Sequence, residues 1–135
     1  EYMIRGDEIF LIESANRGGG VFTSEIIAPY SADVDLVSQY VSDCLGERVD
    51  LFKSSRHLNI VLRFFSFKLG KVKLISGWHN VRVDKNVLKC DLSINPGDTI
   101  SSITSDANRH GYIIYKGTAQ EANDLLDKVE VTYEE

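Results

Sequence analysis

The sequence predicts an α+β fold, on three observations. Residues 1–14 read as a strand pair followed by a glycine run and helical spacing; past residue 50 the pattern turns to mostly antiparallel strand; and one capped helix closes the chain. Residues 1–4 and 8–14 form a hairpin around Gly6-Asp7, and their apolar residues do not alternate cleanly, so both faces are expected to be buried. After Gly18-Gly19-Gly20, the stretch Thr23 to Ala28 starts a short helix capped by Thr or Ser and ended near Pro29. A second helix over residues 32–45 repeats Val34, Leu36, Val37, Tyr40, Val41, Cys44 and Leu45 at helical spacing and is expected to pack on the sheet.

Strands are predicted from His57 to Phe67 and from Val72 to Ile75, with a turn or short helix at Trp78 to Val83 and a further strand from Val87 to Ile94. Asn95-Pro96-Gly97-Asp98 is a turn, because proline presets one dihedral and glycine accepts the next. Strands near Thr99 to Ile103 and Gly111 to Lys116 follow. The last helix opens at Thr118, with Glu121 three residues on as a capping box, and runs to about Val129 with Ala122, Leu125 and Leu126 inward. The acidic end, Glu130 to Glu135, reads as a solvated tail. The change of pattern divides the chain into 1–50 and 51–135.

At 135 residues and 43% hydrophobic content, the chain can bury roughly two thirds of its unfolded surface without a disulfide or metal staple. Fifteen basic against 20 acidic residues give a net charge of −5 with no basic block, which argues against nucleic acid as a partner. Cys44 and Cys90 lack CxxC spacing and read as free, buried, reduced thiols of a cytoplasmic protein. No apolar run reaches the roughly 18 residues of a membrane helix. His57, His79 and His110 lack zinc-binding spacing and read as structural, with His110 beside Arg109 able to reach a pocket. Phe64, Phe65 and Phe67 read as core. The chain opens without an initiator Met, in mid-strand, and is expected to be a piece of a longer protein.

The chemistry concentrates in Glu13-Ser14-Ala15-Asn16-Arg17-Gly18-Gly19-Gly20. On an extended strand Glu13 and Arg17 share a face. Mg2+ takes one or two carboxylates together with nucleotide phosphates, so Glu1 and Glu13 suffice as ligands, and Arg17 can offset charge at a transferring phosphoryl group. The glycines let the backbone N–H groups approach an anion. A two-residue Gly6-Asp7 loop would pair Glu1 with Ile12 and turn it away from Glu13; an odd loop centred on Asp7 sets the two carboxylates opposite each other, and a shared metal requires it. The plainer reading is a solvated Glu–Arg pair beside a flexible loop.

The segment Glu1 to Gly20 resembles the end of the ATP-grasp fold of biotin carboxylase, carbamoyl-phosphate synthase and the carboxylate–amine ligases. That pattern has two acidic residues about twelve positions apart, then Asn and Arg, matched here by Glu1, Glu13 and Arg17, with Ala15 at the Asn position. Ala15 has no oxygen for a second metal, and one or two metals remain open. Further on, Gly70-Lys71-Val72, Gly77, Pro96-Gly97-Asp98, Arg109 to Ile114 and Gly117 to Ala122 resemble the C-terminal domain of carboxylate–amine ligases.

The resemblance implies the end of an ATP-grasp domain, a β-hairpin plus helices, followed by a mainly antiparallel C-terminal sheet with a packed helix. It implies a ligase that uses ATP with Mg2+ or Mn2+ to activate a small-molecule carboxylate as an acyl phosphate, then transfers it to an amine or similar nucleophile. Glu1 and Glu13 would hold metal and nucleotide, Arg17 would act in catalysis, and Gly19 and Gly20 would shape the carboxylate pocket. The N-terminal part of the same protein is the implied partner, the fragment alone is expected to be inactive, and a homo-oligomer is left open. The rival expectation is a noncatalytic docking module derived from an ATP-grasp protein, favoured by Ala15.

Overall fold

The computed structural model describes residues 2–14, 19–47 and 57–134. Strands β1 (Tyr2–Arg5) and β2 (Glu8–Leu11) form a two-stranded antiparallel ribbon with Arg5 opposite Glu8. The loop is therefore the two-residue Gly6-Asp7. Gly6 takes φ +61° at the first turn position, a geometry that matches the twist of a tight hairpin, and Arg5 Nη2 bonds Glu8 Oε2 at 2.9 Å beside it. The odd loop that a facing Glu1–Glu13 pair requires is not the one formed. The expected burial of the hairpin is corrected as well: Tyr2, Ile4, Ile9 and Leu11 are all more than 60% exposed.

A π-helical turn (Thr23–Ile27) runs directly into α1 (Ala28–Ala32), so Pro29 sits in the first turn of a helix instead of ending one. Proline is tolerated there because its fixed φ is already close to the helical value. The helix expected over 32–45 is split at Asp33, which takes φ +54°, and restarts as α2 (Leu36–Cys44) with Asp35 capping Ser38. Val37, Tyr40, Val41 and Leu45 are exposed, so α2 does not lay its apolar stripe on the sheet; Cys44 is exposed, not buried.

The remainder builds two three-stranded antiparallel sheets. The first has the order β3 (Ile60–Phe64), β7 (Gly111–Lys116), β5 (Val87–Leu92). The second has the order β6 (Thr99–Ile100), β4 (Gly70–Ser76), β8 (Glu130–Tyr133). The supposed solvated tail is thus β8, paired with β4, and Lys71 Nζ bonds Glu134 Oε2 at 2.8 Å just beyond it. Alternation of Val131 and Tyr133 with Glu130, Thr132 and Glu134 is the signal for a half-buried strand, and it outweighs the acidic composition.

Helices α3 (Trp78–Arg82) and α4 (Ala119–Leu126) cover the first sheet's core, where Phe65, Val81, Ile113, Tyr115, Ala122, Leu125 and Val129 pack together. A smaller cluster of Val72, Ile94 and Ile100 joins it through Phe67, Ile75 and Leu92. The capping box at Thr118 forms as the sequence predicts, with the Thr118 N–H donating to Glu121 Oε2 at 2.7 Å and the Glu121 N–H to Thr118 Oγ1 at 3.2 Å. At Gly111, φ is +131° and a Cβ would collide with the Asp91 carbonyl, so β7 can lie against β5 there only with glycine.

Candidate functional site

The five residues singled out by sequence fall unevenly on the structure. Glu1 and Arg17 lie outside the described residues, as do Ala15, Asn16 and Gly18. Glu13 is exposed two positions beyond the end of β2 at Leu11, so ladder register no longer dictates which way its carboxylate faces. Gly19 and Gly20 are exposed and open a sharp turn. The Thr23 hydroxyl donates to the Gly20 carbonyl at 2.6 Å, and the Thr23 N–H donates to the same oxygen at 3.1 Å. A Cβ on Gly19 would press on the Thr23 side chain, while one on Gly20 would meet nothing within 4 Å.

Directly after the glycines, Val21 and Phe22 both adopt left-handed backbone, with φ of +49° and +61°. A β-branched residue in that region is strained, and such strain persists only where the surroundings hold it. Phe22 supplies the hold. Its ring packs on Tyr112 of β7 at 5.4 Å between centroids, and Lys89 Nζ of β5 stands 4.5 Å over its face. The glycine loop is thereby pinned to the C-terminal sheet. Sequence reasoning passed over Phe22; an aromatic two residues behind a glycine run was the available signal.

A cleft of about 240 Å³ lies at this junction, lined by Val21, Phe22, Leu62, Phe64, Arg109 and Tyr112 among others. Burial and the nearby Asp91 raise the Tyr112 phenol above its ordinary value, so it stays a protonated donor at neutral pH. The Arg109 guanidinium stands over the Phe64 ring, its Cζ 4.0 Å from the centroid, and its Nε donates to Asp106 Oδ1 at 2.7 Å. Arg109 also borders a second cleft of about 310 Å³ with His110, Asp98 and Asn108. His110 is 5% exposed, stacks on Phe67, and accepts the Phe67 N–H at Nδ1 over 3.2 Å. It is packed into the fold and borders that cleft. A larger open cleft of about 690 Å³ lies between the helices and the end of β7, lined by Glu25, Asp33, Asp35 and Lys116 among others.

Among the described residues no group of three or more His, Cys, Asp or Glu is placed to hold a metal. A magnesium ion shared with nucleotide phosphates asks less of the protein, and a carboxylate such as Glu13 has the hard oxygen donors it takes. The donor chemistry fits. No helix among the described residues is long and apolar enough to cross a membrane.

Residues 63–134, just over half the chain, match the family described as L-amino acid ligase C-terminal domain 2. Two solved structures share the fold. The L-amino acid ligase from Bacillus licheniformis is 17% identical with a TM-score of 0.71, over 99% of this chain and 35% of that one. The phosphoribosylglycinamide synthetase from Anaerococcus prevotii is 18% identical with a TM-score of 0.70, over 98% of this chain and 36% of that one. At such identities the likeness is one of fold, and this chain spans little over a third of either enzyme's length. Among curated proteins none matches the sequence. The α+β class and the resemblance to the C-terminal part of ATP-grasp ligases are borne out.

Proposed function

The chain belongs to the L-amino acid ligase C-terminal domain 2 family, and from that membership we propose that it forms the C-terminal part of an ATP-dependent ligase joining a carboxylate to an amine. In this reading residues 1–50 finish the ATP-grasp domain and 51–135 form the domain behind it. Glu13, with Glu1, would hold the metal of bound Mg-ATP, which would neutralise charge on the phosphate oxygens. Arg17 would offset the charge that develops as the substrate carboxylate attacks the γ-phosphorus and ADP leaves. The glycine backbone at 19 and 20 admits the carboxylate closely. The amine nitrogen then attacks the acyl carbon, the C–O bond to phosphate breaks with its electron pair, and the amine loses a proton to water.

The observation that carries this reading is the family match, reinforced by the way Phe22 fastens the glycine loop to the matched domain. Catalysis by positioning needs the nucleotide held on both sides, so the 135-residue chain alone is expected to be inactive. Phosphate release from ATP by the complete protein, assayed with magnesium against a panel of carboxylates with and without amines, tests it. Release that needs one particular carboxylate supports the ligase, and Glu13→Gln should then abolish turnover with the fold intact. Normal turnover by that variant overturns the metal assignment.

The ribbon of β1 and β2, apolar and exposed on both faces, favours a second reading as a noncatalytic docking module. Magnesium-dependent nucleotide binding by the complete protein counts against it.

A further inference from the structure

We propose that Arg109 is the anchor for the carboxylate of an amino-acid acceptor, seated in the cleft between Phe22, Leu62, Phe64 and Tyr112; this rests on the ligase reading above. The cleft begins at Val21, the residue after Gly20, so it adjoins the backbone assigned to the activated carboxylate. Its volume of about 240 Å³ suits a molecule of amino-acid size and is too small for a nucleotide. The walls are aromatic and aliphatic, which suits an apolar side chain.

Arg109 brings a cation that phosphoryl transfer does not use. It is held before any ligand arrives, by the Phe64 ring under its guanidinium at 4.0 Å and by Asp106 on Nε at 2.7 Å. Asp106 opens the 3₁₀ turn Asp106–Asn108, and its side chain is largely exposed. Only Nε is engaged; Nη1 and Nη2 have no partner among the described residues. A planar fork with unused donors, preset by stacking, matches a carboxylate in two hydrogen bonds. A ligase that joins an amine to an activated carboxyl must direct an amino-acid acceptor by its other polar group, because the amine itself has to stay available for attack. The acceptor's own carboxylate is that group, and Arg109 is where the geometry provides for it.

The test uses the complete ligase. Donor activation is read first by trapping the acyl phosphate with hydroxylamine in the absence of acceptor. Each L-amino acid that serves as acceptor is then compared with its carboxamide, which keeps the amine and side chain but removes the negative charge. The wild type is expected to show a KM for the amino acid roughly tenfold to a hundredfold below that of the carboxamide. Arg109→Gln should bring the ratio close to one, and Arg109→Lys, which keeps the charge without the fork, should leave an intermediate ratio and covers failure of the glutamine variant to fold. A purely structural role would impair amino acid and carboxamide alike and leave the ratio standing. A persistent ratio in Arg109→Gln, or none in the wild type, overturns the anchor; a raised KM for the donor instead shows that the donor's charge sits there and overturns the acceptor assignment. Absence of hydroxamate from the wild type across the donor panel overturns the ligase reading itself.

Discussion

Ile113 and Ile4 are the same residue type in the same kind of element, an antiparallel strand, yet Ile113 is fully buried and Ile4 is 72% exposed. The contrast extends to their surroundings. Residues 57–134 close two sheets over a shared core, with Val72, Val81, Ile113 and Ile114 all fully buried. Among the described residues of 2–47, Val34 alone is buried to a comparable degree, at 6% exposed, while both faces of the ribbon and the stripe of α2 stay open. A two-stranded ribbon is marginal on its own. The difference teaches that apolar patterning reports a demand for burial, which the second region meets within the chain and the first, among the described residues, does not.

Unfolding in urea sets the two regions against each other most directly. Ile113→Ala should cost about 2–5 kcal/mol through a cavity among Phe65, Val81 and Leu125. Ile4→Ala should change stability by no more than about 0.5 kcal/mol. An equal loss from both would break the distinction.

Glycine substitutions sharpen it at the level of backbone. Gly111→Ala meets both a positive φ and the Asp91 carbonyl, and should cost at least about 2 kcal/mol. Gly6→Ala has open space around it and should cost only the dihedral term, about 1 kcal/mol. Thermal unfolding of the two variants side by side checks the order.

One contact that couples the regions is Phe22 on Tyr112 and Lys89, beside the hydrogen bond from the Leu58 N–H to the Ser31 carbonyl at 3.1 Å. Phe22→Ala should release about 1 kcal/mol of docking. Amide exchange should then quicken across residues 20–47 and stay unchanged across 57–134; uniform quickening would show that the two regions open as one unit.

The smallest expected effect is one of pH. Hydrogen bonds from Thr118 hold the Glu121 carboxyl below the usual glutamate range, as Ser38 does for Asp35 at the head of α2. A depressed folded pKa gives stability that is complete above the ordinary glutamate value and is lost as pH falls through the native one. Glu121→Gln should therefore make the C-terminal region less sensitive to acid over that range, as read by denaturation midpoints measured from neutral pH downward. An unaltered acid slope would remove the cap from the account.

Much of the fold was legible because it is set by local rules. The capping box at Thr118, the Asn95 to Asp98 turn and strand Gly111 to Lys116 each follow from a few adjacent residues, and each stands where it was expected. Elements that depend on distant partners were harder. Strand β8 was hidden by its acidic residues, and the break at Asp33 was hidden by apolar spacing that runs straight through it. At the candidate site, Glu13 and the glycines were visible as residue types; Phe22 and Tyr112 were not, because their meaning lies in a contact across 90 positions of chain.

By itself the sequence determined the α+β class, the ligase resemblance, and the chemistry available at Glu13, Arg17 and the glycines, since composition, caps and motifs are properties of neighbouring residues. Only the tertiary structure decided the hairpin register, which side of the chain keeps its apolar surface covered, and the meeting of Phe22, Arg109 and Tyr112 at one cleft. The physical reason is that register and long-range contact follow from which surfaces exclude water together, and residue spacing along the chain does not specify that pairing.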